Sequence, residues 1–238
     1  MRILALDSSS LVASAAIVED DILMAEYTIN YKKTHSQTLL PMVDEIVKMT
    51  ELDLHTIDAI AISRGPGSFT GLRIGSATVK GLGLVLEKPI VAVPTTAMMA
   101  FNFWGSQDKL IVPILDARRN QVYAGVYCFQ DKGMDTILED SVMEIEKLVF
   151  YVDKEAQGKK VIFLGDGVPV YKEKIEETII SPYQFAPAHM NRQRAGSLGV
   201  LAQYYYREGK IESAADHKPE YLRMSQAERE RKEKEAKQ

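Results

Sequence analysis

Cysteine, tryptophan and net charge are all scarce in this sequence of 238 residues. It contains one cysteine, Cys128, and one tryptophan, and its formal net charge at pH 7 is −4. A lone cysteine within an alternating apolar run excludes an internal disulfide framework and fits a reducing compartment. A chain with a small negative charge has no positive field that would draw it to nucleic acid. We therefore expect a protein that does not hold RNA by itself.

Long hydrophobic runs are absent as well. No apolar stretch approaches the roughly 20 residues that cross a bilayer, and the acidic Asp7 follows the start too soon for a signal peptide. The composition nevertheless includes 46% hydrophobic residues, enough to bury one large core or two lobes. These features predict a cytoplasmic protein without a membrane partner.

Histidine is the third scarce residue, with four copies at His35, His55, His189 and His217. No two of them stand one helical turn apart, which is the spacing that would place both imidazoles on one metal ion. We interpret each as a surface or capping residue and expect no bound metal.

A repeated pattern of strands organises the chain. An apolar strand that ends in Asp7 is followed by a hydroxyl-rich turn and two alternating strands, and the same order returns after an apolar strand that ends in Asp116. The predicted strands of the two meanders lie at 3–7, 13–18, 22–29, 110–116, 121–129 and 136–143. Two copies of one meander indicate a duplicated-lobe architecture.

The segments between and after the meanders predict helices that cover mixed sheets. Helical periodicity and turn residues place helices at 35–50, 69–87, 95–104, 144–149, 170–177 and 193–206, and further strands at 57–63, 90–93 and 161–164. Pro41 predicts a kink or a late start in the first helix. We expect an N-terminal lobe at 1–105, a smaller C-terminal lobe at 106–224 that the last helices complete, and a charged, possibly disordered tail at 225–238.

The glycine-rich stretch from Arg64 to Gly75 is the most informative local motif. A Gly-Pro-Gly turn permits close approach to the backbone, and Gly71 and Gly75 leave a stripe without side chains on the following helix. Such a stripe suits a phosphate, a partner helix, or packing against this protein's own first helix. The motif alone leaves all three readings open.

Four longer motifs carry a resemblance to a known family. They are ILALDSSS at 3–10, THSQTLLPMVDE at 34–45, ISRGPGSFTGLRIG at 62–75 and ILDARRNQVYAGVY at 114–127, with a weaker PEYLR at 219–223. In order and spacing they resemble the TsaB (YeaZ) family, and the similarity covers roughly residues 1–223. The resemblance implies an α/β fold with two actin-like, sugar-kinase-like and heat-shock-ATPase-like (ribonuclease H-like) lobes, each a mixed sheet with flanking helices.

The resemblance also implies a function. TsaB-like proteins are accessory subunits of the bacterial machinery that places threonylcarbamoyl on the adenosine beside the anticodon of tRNA. The catalytic paralogue in that machinery, TsaD, carries two metal-binding histidines where Thr95 and Met99 stand in this chain. The resemblance therefore implies a non-catalytic scaffold that pairs with TsaD and the ATPase TsaE, forms a homodimer when alone, and meets tRNA only through the complex.

Family members pair through the helices of the first lobe, so the resemblance gives the glycine stripe a partner helix. We predict partner contacts at Leu39, Val43, Ile46, Phe69, Gly71, Leu72, Gly75, Ser76, Val79 and Leu82. On this hypothesis Gly75→Leu weakens pairing and leaves the monomer folded.

A vestigial nucleotide site is expected between the two meanders, where this superfamily holds phosphates. Asp7, Ser8 and Ser9 form one side, and Asp116 and Arg118 form the other. Ser9 stands where working phosphate loops of this superfamily commonly have glycine, and its Cβ limits close approach. We expect no cofactor in the isolated chain, with ATP or ADP only in the complex.

Two alternatives come from other functional classes. The fold commonly serves stand-alone ATP-dependent phosphotransferases or acyl-group transferases, for which the sequence offers only Asp7 and Asp116 as cleft carboxylates. A peptidase lacks support, because the chain has neither a His-Glu-x-x-His helix nor a Gly-x-Ser-x-Gly elbow, and Cys128 has no paired histidine. No catalytic residue is predicted.

Overall fold

The computed structural model describes residues 1–130 and 133–223. It contains sixteen named helices and strands within these ranges. The first half contributes β1 (Arg2–Asp7), β2 (Val12–Glu19), β3 (Ile22–Asn30), α1 (His35–Thr50), β4 (Ala59–Gly65), α2 (Phe69–Leu86), β5 (Ile90–Pro94) and α3 (Thr95–Ala100). The second contributes β6 (Lys109–Asp116), β7 (Gln121–Gln130), β8 (Gly133–Glu144), α4 (Ile145–Ala156), β9 (Lys160–Leu164), α5 (Val168–Thr178), β10 (Tyr183–Phe185) and α6 (Ala195–Arg207).

The two sheets share one topology, which confirms the predicted duplication. The first has the strand order β3-β2-β1-β4-β5 and the second the order β8-β7-β6-β9-β10. In each, the opening meander is antiparallel and the later strands pair in parallel with the first strand and then with each other. The α/β class with mixed sheets and flanking helices is therefore as expected.

Strand alternation in β1 shows how the layers form. Ile3 and Ala5 point into a core shared with α3, α6 and the second sheet, whereas Leu4 and Leu6 point into a core beneath α1 and α2. A strand with a side-chain period of two must be apolar on both faces when both are covered. A third core lies between the second sheet and the helices α4 and α5. The molecule thus has α3 and α6 between its two sheets and a pair of helices on each outer side.

Several boundaries differ from the sequence-based prediction. α1 begins at His35 with Pro41 inside it, so there is no late start. The helix predicted at 95–104 ends at Ala100 and continues as a single 3-10 turn. α4 runs to Ala156 rather than to residue 149, and β10 was not predicted, because three half-buried residues carry no periodic signal.

The largest difference concerns α6, which was predicted to complete the smaller lobe. Its residues Leu198, Leu201 and Ala202 instead share a core with Ile3 and Ala5 of the first sheet. Gly199 lies so close to β2 that an added Cβ would stand 2.6 Å from Val18. The lobe limits at 1–105 and 106–224 remain a prediction, and the charged tail at 225–238 lies outside the described residues.

Candidate functional site

A cleft of about 710 Å³ lies between the two lobes, at the ends of β1 and β6. The turns after these strands both reach it. Of the residues predicted for a nucleotide site, Ser9, Asp116 and Arg118 line the cleft, whereas Asp7 and Ser8 do not. The duplicated topology explains this placement, because the first strand of each sheet ends at the same interlobe gap.

The turn after β1, Ser8–Ser10, is closed by the start of α2. The Ser8 hydroxyl donates to the Gly71 carbonyl oxygen at 2.9 Å, and the Ser68 amide donates to the Ser9 carbonyl oxygen at 2.7 Å. A Cβ atom added at Gly71 would stand 2.0 Å from the Ser8 carbonyl oxygen, and one at Gly67 would stand 2.2 Å from that of Ser9. The glycine-rich motif therefore meets the chain's own β1–β2 turn.

That contact corrects the interpretation of the glycine stripe. Gly71 and Gly75 are buried, and a Cβ at Gly75 would stand 2.4 Å from the Ser8 hydroxyl oxygen. The stripe faces neither a phosphate, nor a partner helix, nor α1. This geometry opposes the prediction that Gly75→Leu leaves the monomer folded, because a leucine side chain would meet Ser8 and Ile62.

Asp7 is fully buried behind this closed turn. One carboxylate oxygen accepts hydrogen bonds from the hydroxyls of Ser9, at 2.8 Å, and Ser63. The other has no hydrogen-bond partner among the described residues. Burial raises the pKa of Asp7, and the hydrogen bonds from Ser63 and Ser9 oppose that rise. With no access to the cleft, this carboxyl group serves the packing of the turn and does not reach a substrate.

The turn after β6 is built differently. Arg118, Arg119 and Asn120 all have left-handed backbone conformations, with φ of 61°, 55° and 61°. Such conformations cost non-glycine residues about 1 kcal/mol or more each, so other contacts must hold the turn. The Arg118 amide and the Tyr171 hydroxyl both donate to one Asp116 oxygen, at 2.8 and 3.0 Å.

A second anchor holds the far side of the same turn. Asn120 donates to Glu146 at 2.9 Å and accepts from the Lys174 ammonium at 2.6 Å. Lys174 and Asn120 lower the pKa of Glu146 to about 2 by hydrogen bonds to its charged form. The backbone is thereby fixed while the side chains of Arg118 and Arg119 are exposed to solvent.

Residues that sequence reasoning missed complete the cleft. Lys33 and His35 line it from the start of α1, Asp166 from the second lobe, and Arg223 from the C-terminal segment. No periodic or compositional signal places them together, because three separate parts of the chain supply them. With Arg118, the rim carries three cationic side chains, and burial raises the pKa of Asp166.

The C-terminal segment joins the two lobes across this cleft. The Glu220 amide donates to the Arg64 carbonyl oxygen at 2.7 Å, and the Tyr221 ring stacks on Phe69 at a centroid distance of 4.6 Å. Arg223 then donates to the Ala117 carbonyl oxygen of the second lobe at 2.6 Å. The weak PEYLR motif is thus an interlobe strap.

A buried polar relay links the lobes on another side. The hydroxyls of Thr96 and Tyr127 are 2.7 Å apart, and the Thr96 hydroxyl also contacts the carboxylate of Asp140. Burial raises the pKa of Asp140 to about 6, while the Thr96 hydrogen bond and the charge of Arg64 oppose that rise. Glu220 and Glu139 add to it by charge repulsion.

The predicted partner-binding side chains are largely inaccessible. Leu39, Val43, Ile46, Leu72, Ser76 and Val79 are buried, and all but Leu72 and Ser76 belong to the core beneath α1 and α2. Phe69 is half-buried under Tyr221, and Leu82 is half-buried. On α2 the exposed residues Ala77, Gly81, Leu84 and Val85 share one side, which we call the helical face. The predicted contact residues thus lie on the core-facing sides of α1 and α2.

The positions that hold histidine in the catalytic paralogue lie on α3. Thr95 and Met99 are both fully buried there. Within the described residues, no three His, Cys, Asp or Glu side chains are grouped to hold a metal ion. No helix in the described ranges combines the length and the apolar character needed to cross a bilayer.

Known proteins share both the sequence and this architecture. A family model described as "TsaD: tRNA N6-adenosine threonylcarbamoyltransferase" matches residues 23–231. The tRNA threonylcarbamoyladenosine biosynthesis protein TsaB of Bacillus subtilis is 34% identical over 233 residues, which is 96% of each chain.

Solved structures with similar architecture include relatives of the same kind. YeaZ from Pseudomonas aeruginosa is 29% identical with a TM-score of 0.77 over 93% of this chain and 99% of that one. ROK hexokinase from Thermus thermophilus is 11% identical, covers 87% of this chain and 100% of its own, has a TM-score of 0.50, and shares the fold alone. This chain belongs to the TsaB (YeaZ) family of tRNA threonylcarbamoyladenosine biosynthesis proteins.

Proposed function

We propose that this chain is a non-catalytic scaffold in the synthesis of threonylcarbamoyladenosine, beside the anticodon of tRNA. In this role it pairs with a TsaD-type paralogue, and the ATPase TsaE joins the pair. Family membership supports the pathway, since the relatives carry its name. The small negative charge of the chain supports a role in which tRNA is reached through the complex.

The closed β1–β2 turn is the observation that carries the non-catalytic part. A phosphate-binding turn must leave its backbone amides open to the ligand. Here the Ser9 amide donates to Asp7, and α2 packs on the carbonyl oxygens of Ser8 and Ser9. Asp7, the remaining carboxyl group on that side, is buried. This arrangement favours the scaffold over a stand-alone phosphotransferase or acyl-group transferase.

The same geometry supports weak or absent nucleotide binding by the isolated chain. Arg118 and the other cations of the rim remain available to ATP or ADP in the complex, where the partner supplies further contacts. Calorimetry with ATP and magnesium on the isolated chain should show no binding in the micromolar range. A micromolar dissociation constant would contradict this part of the proposal.

We assign pairing to the helical face rather than to the buried glycine stripe. On α2, Ala77 and Gly81 lie one turn apart on the solvent side, followed by the exposed Leu84 and Val85. Small residues let a second helix come close, and the apolar neighbours add buried area. We propose that a TsaD-type paralogue covers this face in the complex and that a second copy covers it in the isolated homodimer.

Gly81→Leu tests this assignment cleanly. Nothing lies within 4 Å of a Cβ atom added at Gly81, so the monomer should fold normally while the new side chain separates the two helices. Sedimentation and co-purification with the cognate TsaD should show weaker association, and tRNA modification reconstituted with TsaD and TsaE should fall in parallel.

Phe150→Asp provides the matched control, because Phe150 is 76% exposed on the opposite outer layer. This variant should pair and support modification as the original chain does. Unchanged association of Gly81→Leu would rule out the helical face as the pairing surface. Full modification activity by TsaD and TsaE without this chain would contradict the scaffold role itself.

A further inference from the structure

The turn after β6, residues 118–120, consists of three successive left-handed residues and contains no glycine. We call it the arginine turn. Glycine adopts this conformation without steric cost, and asparagine adopts it more readily than most residues. Arg118 and Arg119 have neither advantage. Backbone strain of this kind clusters at sites where the strained residues have a function.

Contacts from two sides hold the backbone of the arginine turn. The Asp116 carboxylate accepts from the Arg118 amide at 2.8 Å. The Gln121 amide donates to the Arg118 carbonyl oxygen at 3.1 Å, and the Ile145 amide donates to that of Asn120 at 3.3 Å. These contacts fix the main chain and leave the two arginine side chains outside the network.

Both guanidinium groups of the turn lack a partner within the chain. Arg118 and Arg119 are exposed, and in the described ranges neither side chain has a hydrogen bond or an ion pair. A guanidinium is a planar group whose N–H donors match the paired oxygens of a phosphate. The arginine turn therefore presents two such groups to solvent from a fixed backbone.

Cations outnumber acids around the turn. Four cationic side chains lie in or next to the interlobe cleft: Lys33, Arg118, Arg119 and Arg223. Two carboxylates line the same cleft, Asp116 and Asp166. The nearby Glu146 is balanced by its ion-pair partner, Lys174. Four cations against two carboxylates leave a local excess of positive charge, in a chain whose net charge is −4.

The cations also extend beyond the cleft. Arg118 lines the cleft, whereas its neighbour Arg119 lies outside the lining. A free nucleotide that fills the cleft would therefore leave Arg119 without a phosphate. The turn after β1 offers such a nucleotide little, because Ser8 and Ser9 are buried and the Ser9 amide donates to Asp7. The anion that fits is one whose charges continue along the surface.

We infer that the arginine turn binds the phosphate backbone of tRNA while the chain is paired with its TsaD-type paralogue. This inference rests on the proposed function, which brings tRNA to that pair. A tRNA carries one phosphate per nucleotide, so the two guanidinium groups can meet different phosphates. Such contacts position a nucleic acid without reading its sequence. Two of them give weak, salt-sensitive binding, which agrees with a chain that meets tRNA only in the complex.

The salt dependence of tRNA affinity tests this contact. We would measure binding of an unmodified tRNA transcript to the pair of this chain and its cognate TsaD, without nucleotide, between about 50 and 200 mM salt. Arg118→Gln with Arg119→Gln removes both charges and should weaken binding at least about fivefold at the lowest salt. The slope of log K against log salt concentration should fall in magnitude by about 1.5.

Two matched double variants separate this contact from other effects. Arg118→Lys with Arg119→Lys keeps both charges and should keep most of the slope. Lys109→Gln with Lys160→Gln also removes two charges, but these lysines pair in register at the opposite end of β6. This second variant should leave the affinity and the slope unchanged.

Several results would overturn the inference. They are an unchanged slope in the glutamine variant of the turn, an equal loss in the Lys109 and Lys160 control, and weaker association of the glutamine variant with TsaD, which would indicate an acidic protein partner. Loss of inorganic triphosphate binding with tRNA affinity intact would indicate a small-anion site instead. If modification requires this chain but the slope does not change, only the tRNA contact fails, whereas modification without the chain contradicts the scaffold role.

Discussion

The turns that follow β1 and β6 occupy equivalent places in the two lobes, yet one is packed against a helix and the other is exposed to solvent. In the first lobe, the start of α2 packs on the carbonyl oxygens of Ser8 and Ser9, and both residues are buried. In the second, contacts to Asp116 and Asn120 hold a strained turn whose arginines are exposed. A duplicated fold can therefore close one half of an inherited cleft and keep the other open.

The largest expected effect comes from opening the closed turn. Gly71→Ala places a Cβ atom 2.0 Å from the Ser8 carbonyl oxygen, and neither backbone can move without disturbing β1 or α2. We expect the free energy of unfolding to fall by about 3 kcal/mol, measured by urea denaturation.

Gly81→Ala is its matched control in the same helix. Because Gly81 is exposed and its added Cβ meets nothing, alanine should raise the free energy of unfolding by up to about 1 kcal/mol through helix propensity. Equal destabilisation by both substitutions would show that helix propensity, rather than contact with the turn, explains the glycines.

The second prediction concerns the buried polar relay of Thr96, Tyr127 and Asp140, which links the two lobes. Asp140 has a folded pKa of about 6 against a reference value of 3.8. Its contribution to stability is therefore fully present below pH 3.8 and is lost as the pH rises through 6, at most about 3 kcal/mol. Asp140→Asn should remove this fall from the pH profile of the unfolding free energy.

Glu139→Gln is the neighbouring control, because Glu139 is exposed and, of the groups that influence the pKa of Asp140, it has the smallest effect. The fall in stability should remain in this variant and move only slightly to lower pH. If Asp140→Asn retains the decline between pH 4 and 7, another group carries it and the relay does not couple protonation to the lobe contact.

The third prediction compares the loss of one hydroxyl donor to Asp7 with the loss of one hydroxyl donor to Asp116. Ser63→Ala takes a donor from the buried Asp7 carboxylate, so the free energy of unfolding should fall by about 2 kcal/mol. Tyr171→Phe takes a donor from Asp116, which is partly open to water, so the loss should be about 1 kcal/mol. Equal losses would mean that the two turns do not differ in solvation.

The smallest effect on stability is expected when the pH is lowered and Glu146, beside the turn after β6, is protonated. Glu146 has a pKa of about 2 against 4.5, so its stabilising contribution is present above pH 4.5 and is lost as the pH falls through 2. Because the Glu146 side chain is 42% exposed and water screens its charge, we expect less than about 0.5 kcal/mol. The side-chain amide resonance of Asn120 should shift on acidification, and Glu146→Gln should abolish that shift.

The closed turn responds in the opposite direction. Burial raises the pKa of Asp7, so its contribution is present at low pH and is lost as the pH rises through its folded pKa. Resonances of Ser8 and Ser9 should stay unchanged over the acid range in which Asn120 moves. Parallel shifts at both turns would contradict their different environments.

Much of the fold was predictable because local patterns and the core agree. The continuous apolar run of β1 predicts a strand covered on both faces, and helical periodicity in α1 and α2 predicts one buried side for each helix; the structure has a core at each of these places. The duplication was visible in the same way, since both copies begin with a buried strand that ends in an aspartate. Strands and helices with these periods can be predicted without knowing which distant residues they contact.

The site was less predictable because its contacts are distant in sequence. The glycine-rich motif signals close approach, but the atoms that approach belong to Ser8 and Ser9, about sixty residues earlier. The buried side of α2 and its solvent side both carry small residues, so Gly75 and Gly81 look alike until the β1–β2 turn is placed. Nothing local shows that Arg223 reaches Ala117.

The placement of α6 has a consequence for how the chain reaches its folded state. One face of the first sheet is covered by residues 195–207, so that sheet emerges from the ribosome long before its cover does. Its apolar residues, including Ile3 and Ala5, stay uncovered until α6 has been synthesised and packs on the sheet. Because this contact joins residues far apart in sequence, it favours slow folding. A fragment that ends at residue 105 should expose this face and self-associate, whereas adding residues 195–223 in trans should restore a monomeric lobe.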